Sequence, residues 1–355
     1  MAKASRKPFE IAGNSIPAGT RTTFELPIPD LYIHTDLSMP VHVVHGRKDG
    51  PVMFLSGAIH GDEIMGVEII RRVLMSKRLA NLRGTLIAVP VVNMFGFISQ
   101  SRYLPDRRDL NRCFPGSGTG SIASRLAHVF ISEIVTHCDY GIDLHTAAVN
   151  RENLPQVRAN MEDEDANMLA RAFGLPVVLS SGLIEGSLRK AAMDENVKVI
   201  VYEAGEALRF DETAIRGGVH GVHRVLQRLG MLSKRERPAK RKLREPTVAL
   251  GSRWVRAPQS GIHRSMSGLG INVKKGDTLG WIADPLGENS TPVVALQSGI
   301  IIGRSNLPLV TEGEALFHIA TFEGPDEQIA RQIDNVEAAL DNVSEELLMN
   351  EPPIV

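Results

Sequence analysis

His60 and Glu63 stand three residues apart in Ser56-Gly57-Ala58-Ile59-His60-Gly61-Asp62-Glu63, directly after an apolar run. Neutral imidazole and carboxylate are both good zinc ligands, bound at ~2.0–2.2 Å. Residues three apart where a helix begins share a face, so the pair can converge on one point. The pattern by itself is common on surface helices. Its place at the end of a buried strand gives it weight, because open α/β sheets bind ligands at the carboxyl ends of their strands. Asp143-Leu144-His145 supplies a third ligand, His145, at the close of another apolar run. Two histidines and one glutamate leave a coordination position for water, which is the arrangement of a catalytic zinc site rather than a structural one. Asp143 is expected on the opposite pleat from His145, in a supporting or structural role. Each of these residues could instead be a polar side chain satisfied within the core. Three of them at two strand ends argue against that.

Further candidates lie along the chain. The segment Arg102-Tyr103-Leu104-Pro105-Asp106-Arg107-Arg108-Asp109-Leu110-Asn111-Arg112 is either a solvated loop of compensating charges or the mouth of a site. Arginine grips carboxylates in a planar fork and asparagine adds a directional donor, so an anionic substrate would use such a clamp. Glu203 follows the apolar run Val199-Ile200-Val201-Tyr202, and Glu206 is its rival. A carboxylate placed there is paired, solvated or functional. Desolvation would raise its pKa toward the range useful for exchanging protons with water. Glu203 is favoured because it lies nearer the strand end. Cys113 has no implied histidine partner and reads as a small loop filler, not a nucleophile.

The elements that must position these residues are legible as alternating patterns. Strands are expected over 52–59, 85–91, 140–144, 176–179 and 197–202, several of them continuously apolar as strands buried on both faces are. Amphipathic helices are expected over 63–79, 121–137, 162–173 and 211–229. This alternation predicts an α/β domain, 1–232, around a mostly parallel mixed sheet flanked by helices. A basic linker, 233–250, follows, with an exposed face as the bland reading and nucleic-acid binding as the minor one. In 251–322 the sequence repeats itself: Ala257, Gly261, Gly276 and Ala283 match Ala295, Gly299, Gly313 and Ala320 at a near-constant offset. That duplication predicts an all-β barrel of the lipoyl/biotinyl type. Its central hairpin, residues 284–290, holds no lysine, so a prosthetic-group carrier is excluded. An acidic tail, 323–355, has helical spacing at Ile329, Ile333, Val336 and Leu340.

Composition limits the function classes. The 355 residues are 43% hydrophobic and 23% charged, values of a globular chain large enough for two domains. The 40 Lys+Arg and 41 Asp+Glu leave a net charge of −1, which removes the bulk electrostatic case for nucleic acid or an anionic membrane. The longest apolar run, 86–98, is broken by Pro90, Asn93 and Gly96, well short of the ~20 residues a spanning helix requires. No apolar signal segment opens the chain, and only Cys113 and Cys138 occur, so a reduced, cytoplasmic setting is expected. A homo-oligomer is left open.

Taken in order, His60-x-x-Glu63, Arg102 with Asp109-Leu110-Asn111-Arg112, Asp143-Leu144-His145 and Glu203 resemble the succinylglutamate desuccinylase/aspartoacylase family. This family is a branch of the zinc carboxypeptidase-like hydrolases, and the motif resemblance covers roughly residues 50–210. It implies one zinc ion held by His60, Glu63 and His145, with Glu203 as general base and acid. It also implies Arg102 as the oxyanion stabiliser, with Asn111 and Arg112 holding the substrate carboxylate. The activity implied is zinc-dependent hydrolysis of the amide bond of a small N-acyl amino acid. A metallocarboxypeptidase acting on peptides and a non-catalytic metal-binding partner module are the alternatives. No tyrosine follows Tyr202, so a substrate-contacting tyrosine that relatives are expected to carry in the C-terminal domain is absent here.

Overall fold

The apolar runs become strands because they are short and rich in β-branched residues. A computed structural model describes residues 6–30, 36–233, 246–322 and 326–341. A hairpin of β1 (Phe9–Ile11) and β2 (Asn14–Ile16) leads to β3 (Thr20–Pro27), β4 (Ser38–His45) and β5 (Lys48–Gly57). Helix α1 (Met65–Met75), β6 (Arg83–Val89), α2 (Met94–Ile98) and α3 (Ile122–Glu133) follow. Then come β7 (Tyr140–Ala147), β8 (Arg151–Ala159), α4 (Glu164–Phe173) and β9 (Val177–Ser180). Helix α5 (Leu188–Asp194), β10 (Lys198–Glu206) and α6 (Glu212–Arg228) complete this part. Its sheet runs β9-β8-β10-β7-β5-β6-β4-β3. The centre, β10-β7-β5-β6, is parallel, while β8, β4 and β3 add antiparallel pairs. The mixed α/β sheet with flanking helices matches the expectation.

Both faces are covered. Ile69, Ile70 and Val73 of α1 pack with Phe173, Val222, Leu144 and Tyr202 on one side. Leu126 and Phe130 of α3 pack with Phe54, Ile87 and Leu188 on the other. Burying each such side chain contributes ~1.5–3 kcal/mol. Double-sided cover explains why the central strands read as unbroken apolar runs rather than alternating ones.

Element ends differ from the sequence pattern. Helices expected over 63–79 and 121–137 stop at Met75 and Glu133, and each is continued by a separate 3-10 turn. The helices at 162–173 and 211–229 begin where Asp163 and Asp211 accept the N–H groups of Ala166 and Ala214, as N-caps do. Strand β10 runs on to Glu206 instead of ending at residue 202. Strand β8 was not expected, because Pro155 and three charged residues disfavour an internal strand. It nevertheless pairs with β9 and β10 on its two sides.

Eight further strands follow: β11 (Thr247–Arg256), β12 (Gly261–Ser265), β13 (Asn272–Val273), β14 (Thr278–Ala283), β15 (Ser290–Val294), β16 (Gly299–Ser305), β17 (Leu309–Val310) and β18 (Ala315–Phe322). The repeat in the sequence is visible as paired contacts. Gly276 N–H donates to the Ala295 carbonyl and Gly313 N–H to that of Ala257. Gln259 Nε2 donates to the Ile282 carbonyl and Gln297 Nε2 to that of Ile319. One sheet is β15-β14-β12-β17, while β13, β16, β18 and β11 extend the mixed sheet beyond β9. Because β16 also pairs with β8, the strands β8-β9-β11-β18-β16 close into a ring. Leu154, Val177, Leu179, Ala249, Ile300, Ile302, Ala320 and Phe322 form the cluster shared by these strands.

Strand β11 starts at Thr247, inside the stretch read as a linker, and residues 234–245 of that stretch lie outside the described residues. Within the acidic tail, helix α7 (Asp326–Asp341) buries Ile329, Ile333 and Leu340, and residues 342–355 lie outside the described residues. Among the described residues, no helix is long and apolar enough to cross a membrane.

Candidate active site

The carboxyl ends of β5, β7 and β10 come together at one edge of the sheet. Beyond β5 the chain turns sharply: Ala58 has φ +48°, and its carbonyl and that of Gly57 accept the N–H groups of Asn93 and Val92. A non-glycine residue in this region costs ~1–2 kcal/mol, which the surrounding contacts must offset. Gly61 fits because its backbone presses on α2, where a Cβ would fall 1.9 Å from the Gly96 carbonyl carbon. Glu63 N–H donates to the His60 carbonyl at 3.0 Å, and α1 begins only at Met65. His60 and Glu63 therefore converge through a tight turn, not by sharing a helical face as expected.

His60, Glu63 and His145 are all buried, and their ligand atoms lie within 4.8 Å of one another. His60 Nδ1 is 2.7 Å from Glu63 Oε1, and His145 Nδ1 is 2.7 Å from Glu63 Oε2. Each imidazole turns its other nitrogen to a second carboxylate. His60 Nε2 is 3.1 Å from Asp109, and His145 Nε2 is 2.6 Å from Asp143. The opposite-pleat expectation for Asp143 is thus incorrect: residues two apart in a strand share a face. Asp143 supports His145 directly and accepts a hydrogen bond from Ser56 Oγ at 2.7 Å.

Electrostatics follow from this crowding. Burial alone would raise the Glu63 pKa, yet His60 and His145 hold it far below the usual carboxylate range. Burial would lower the His145 pKa, but Asp143 and Glu63 more than offset that and raise it well above the ordinary value. His60 is raised too, its burial outweighed by Glu63 and Asp109. In the chain alone, the buried carboxylates favour the charged form of each imidazole. A divalent cation offsets the same carboxylates with the protons released. Two Nδ1 atoms and a carboxylate, with both Nε2 atoms held by carboxylates, form a donor set that suits such an ion.

Arg102 joins this cluster, with NH1 3.1 Å from Glu63 Oε1 and NH2 2.9 Å from Asp109 Oδ2. Glu203 pairs in register with His145 across β10 and β7, which places the two side chains on one face. It is not the isolated carboxylate the sequence suggested: Arg158 and Asn153 bind it at 2.8 and 2.9 Å. Glu206 instead accepts the Asn150 N–H and the Asn306 Nδ2. Asn111 and Arg112 lie on the Asp109 loop but bond elsewhere. Asn111 Oδ1 accepts the Leu188 N–H at the start of α5, and Arg112 NH1 donates to the Asn111 carbonyl. Cys113 Sγ donates to the Asp109 carbonyl, and burial pushes its thiol pKa up, in keeping with a filler role.

Sequence reasoning gave no role to Asp109, Asn153 or Arg158. Asp109 was visible within the arginine-rich loop, but its reach to His60 spans 49 residues. Asn153 and Arg158 sit on the unexpected strand β8. So does Gln156, which lies opposite Glu203, fully buried and with neither amide atom hydrogen-bonded.

Residues 49–229 match the profile of the succinylglutamate desuccinylase/aspartoacylase catalytic domain. The chain is 25% identical over 296 residues to the N-alpha-acetyl-L-2,4-diaminobutyric acid deacetylase of Halomonas elongata, covering 79% of this chain and 85% of that protein. The crystal structure of a succinylglutamate desuccinylase/aspartoacylase from Rhodobacter sphaeroides superposes with a TM-score of 0.76 at 25% identity, over 85% of this chain and 96% of that one. A product-bound ectoine utilization protein from Ruegeria pomeroyi shares the fold, with a TM-score of 0.76 at 23% identity over 89% and 99% of the two chains. With its profile match spanning half of its length and covering every motif of the cluster, this chain belongs to the succinylglutamate desuccinylase/aspartoacylase family.

Proposed function

We propose that the protein is a zinc-dependent amidohydrolase that cleaves the acyl–nitrogen bond of small N-acyl amino acids. The observation that carries this reading is the convergence of His60, Glu63 and His145, with Glu203 beside them on the same sheet face. Those three side chains would hold one zinc ion, which when bound acidifies water and polarises a carbonyl. The remaining steps belong to the chain. Glu203 takes a proton from the attacking water and returns it to the leaving nitrogen. Oε1 is the oxygen for this task, because Asn153 and Arg158 both bind Oε2. Arg102 faces the cluster as a fixed cation for charge developing on the carbonyl oxygen. Asn111 and Arg112 orient the substrate through its carboxylate, which requires Arg112 to leave its own loop carbonyl. The duplicated C-terminal strands support a lipoyl/biotinyl-like barrel lacking the carrier lysine, and the catalytic domain spans 1–232 in this reading.

A screen of N-acylated amino acids against zinc-loaded protein, read by mass spectrometry, tests the proposal. Release of free amino acid is expected. Cleavage of C-terminal residues from peptides without deacylation would favour a carboxypeptidase instead.

Two narrower outcomes are expected. Asp143→Ala leaves His145 without its Nε2 partner and weakens zinc binding by ~10–100-fold, measurable by competition with a chromogenic chelator. Arg112→Lys loses the planar fork and weakens substrates bearing an α-carboxylate by about tenfold, while amidated analogues are little affected. Equal losses on both would remove Arg112 from the clamp.

A further inference from the structure

Glu203 is aimed by a strand that the C-terminal half holds in place. Two partners on β8 use one oxygen: Asn153 Nδ2 donates to Oε2 at 2.9 Å, and Arg158 NH2 approaches the same atom at 2.8 Å. One hydrogen bond and one ion pair converge on Oε2, which orients the carboxylate and leaves Oε1 for proton traffic.

Strand β8 is in turn gripped from its other side by β16. Gly303 pairs with Asn153, Arg304 with Glu152 and Ser305 with Arg151. Arg304 forms an ion pair with Glu152 at 3.0 Å, and Asn306 N–H donates to the Asn150 carbonyl at 2.8 Å. The contact at Gly303 is close enough that a side chain there would push the Asn153 amide out of place. A Cβ there would stand 2.8 Å from Asn153 Oδ1, the other end of the amide that binds Glu203, and 3.3 Å from the His318 Cβ. His318, from β18, stacks on Trp254 of β11 with ring centroids 4.6 Å apart and planes nearly parallel. Burial, and then the charge of Arg158, push the His318 pKa down to about 4. A neutral ring therefore backs Arg158 at neutral pH and leaves its charge to Glu203.

We propose that Asn153 and Arg158 are positioning residues for Glu203, and that β16 sets the aim of Asn153 through its close contact at Gly303. The C-terminal strands are then part of the proton-transfer machinery. This deepens the deacylase reading and rests on it. In that reaction the C–N bond breaks as the nitrogen takes the proton that Glu203 removed from water. An alkyl amine leaves only when protonated, whereas a nitrophenolate leaves unprotonated. Misaiming Glu203 therefore harms both steps for an amide and only water activation for a nitrophenyl ester.

The test compares wild type, Asn153→Ala and Gly303→Ala, all zinc-loaded, on an N-acyl amino acid and on the nitrophenyl ester of the same acid. Metal content and melting temperature are measured alongside. The expected result is a ~100-fold fall in kcat on the amide with KM within a few-fold, matching the cost of a ~1 Å misplacement. The fall on the ester is at least tenfold smaller, and zinc content is unchanged. Should Gly303→Ala fold poorly, Asn153→Ala decides alone, since it removes a donor without adding bulk. Equal losses on both substrates, or none on the amide, overturn the positioning role while leaving the deacylase reading intact. A wild type that cleaves neither substrate overturns that reading and this inference with it.

Discussion

Glu203→Gln is expected to lower kcat by about 100- to 10,000-fold, the range for loss of a positioned general base and acid, with bound zinc retained. The substitution keeps the shape and the hydrogen bond from Asn153, and it leaves the hydrogen bonds that join His60, Glu63 and His145 untouched, since Glu203 takes no part in them. It removes the proton acceptor. Arg158, whose NH2 lies 2.8 Å from that carboxylate, loses its ion pair at the same time, so a modest drop in melting temperature is expected with the loss of turnover. Retention of near-normal turnover would take Glu203 out of the chemistry and return attention to Glu206. Glu206 is an unpromising substitute, with both oxygens committed to Asn150 and Asn306.

Arg102→Ala is expected to cost ~3–4 kcal/mol of transition-state stabilisation, a factor of hundreds in rate, as for the loss of a preorganised oxyanion donor. The guanidinium is fixed before substrate arrives by Glu63 and Asp109, so little reorganisation is needed when charge develops. Its own pKa is raised, with the desolvation of burial outweighed by Glu63 and Asp109. Arg102→Lys should recover only part of the activity, because an ammonium cannot span both carboxylates in one plane. Kinetics must be paired with metal analysis, since Asp109 also holds His60. A rate loss with full zinc occupancy supports the oxyanion role, and a rate loss that merely follows lost zinc contradicts it.

Much of this site was readable without coordinates. His60, Glu63 and His145 are residue types with one shared chemistry, placed after runs too apolar to be loops, and the sheet rule brings such strand ends together. What the pattern could not supply was local geometry. The turn that joins His60 to Glu63 depends on Gly61 pressing against α2, a contact between segments 35 residues apart. Asp143 falls on the same side as His145 because the side-chain period of a strand is two. Strand β8 was hidden for a physical reason. Its proline and charges fail the usual strand criteria, and only pairing with β9, β10 and β16 holds it extended. The partners of Glu203 went unseen with it. Likewise, the glycines and alanines of the repeat announce a duplicated β unit, but not that its strands close a ring with the mixed sheet.

The most direct test is the stoichiometry of tightly bound metal, measured by mass spectrometry on purified wild type and on His145→Ala and Glu63→Ala. One equivalent of zinc per chain in the wild type, with near-complete loss in both variants, is the predicted result. Undiminished zinc in either variant would show that the ion sits elsewhere, and the hydrolase account built around these three side chains would be contradicted.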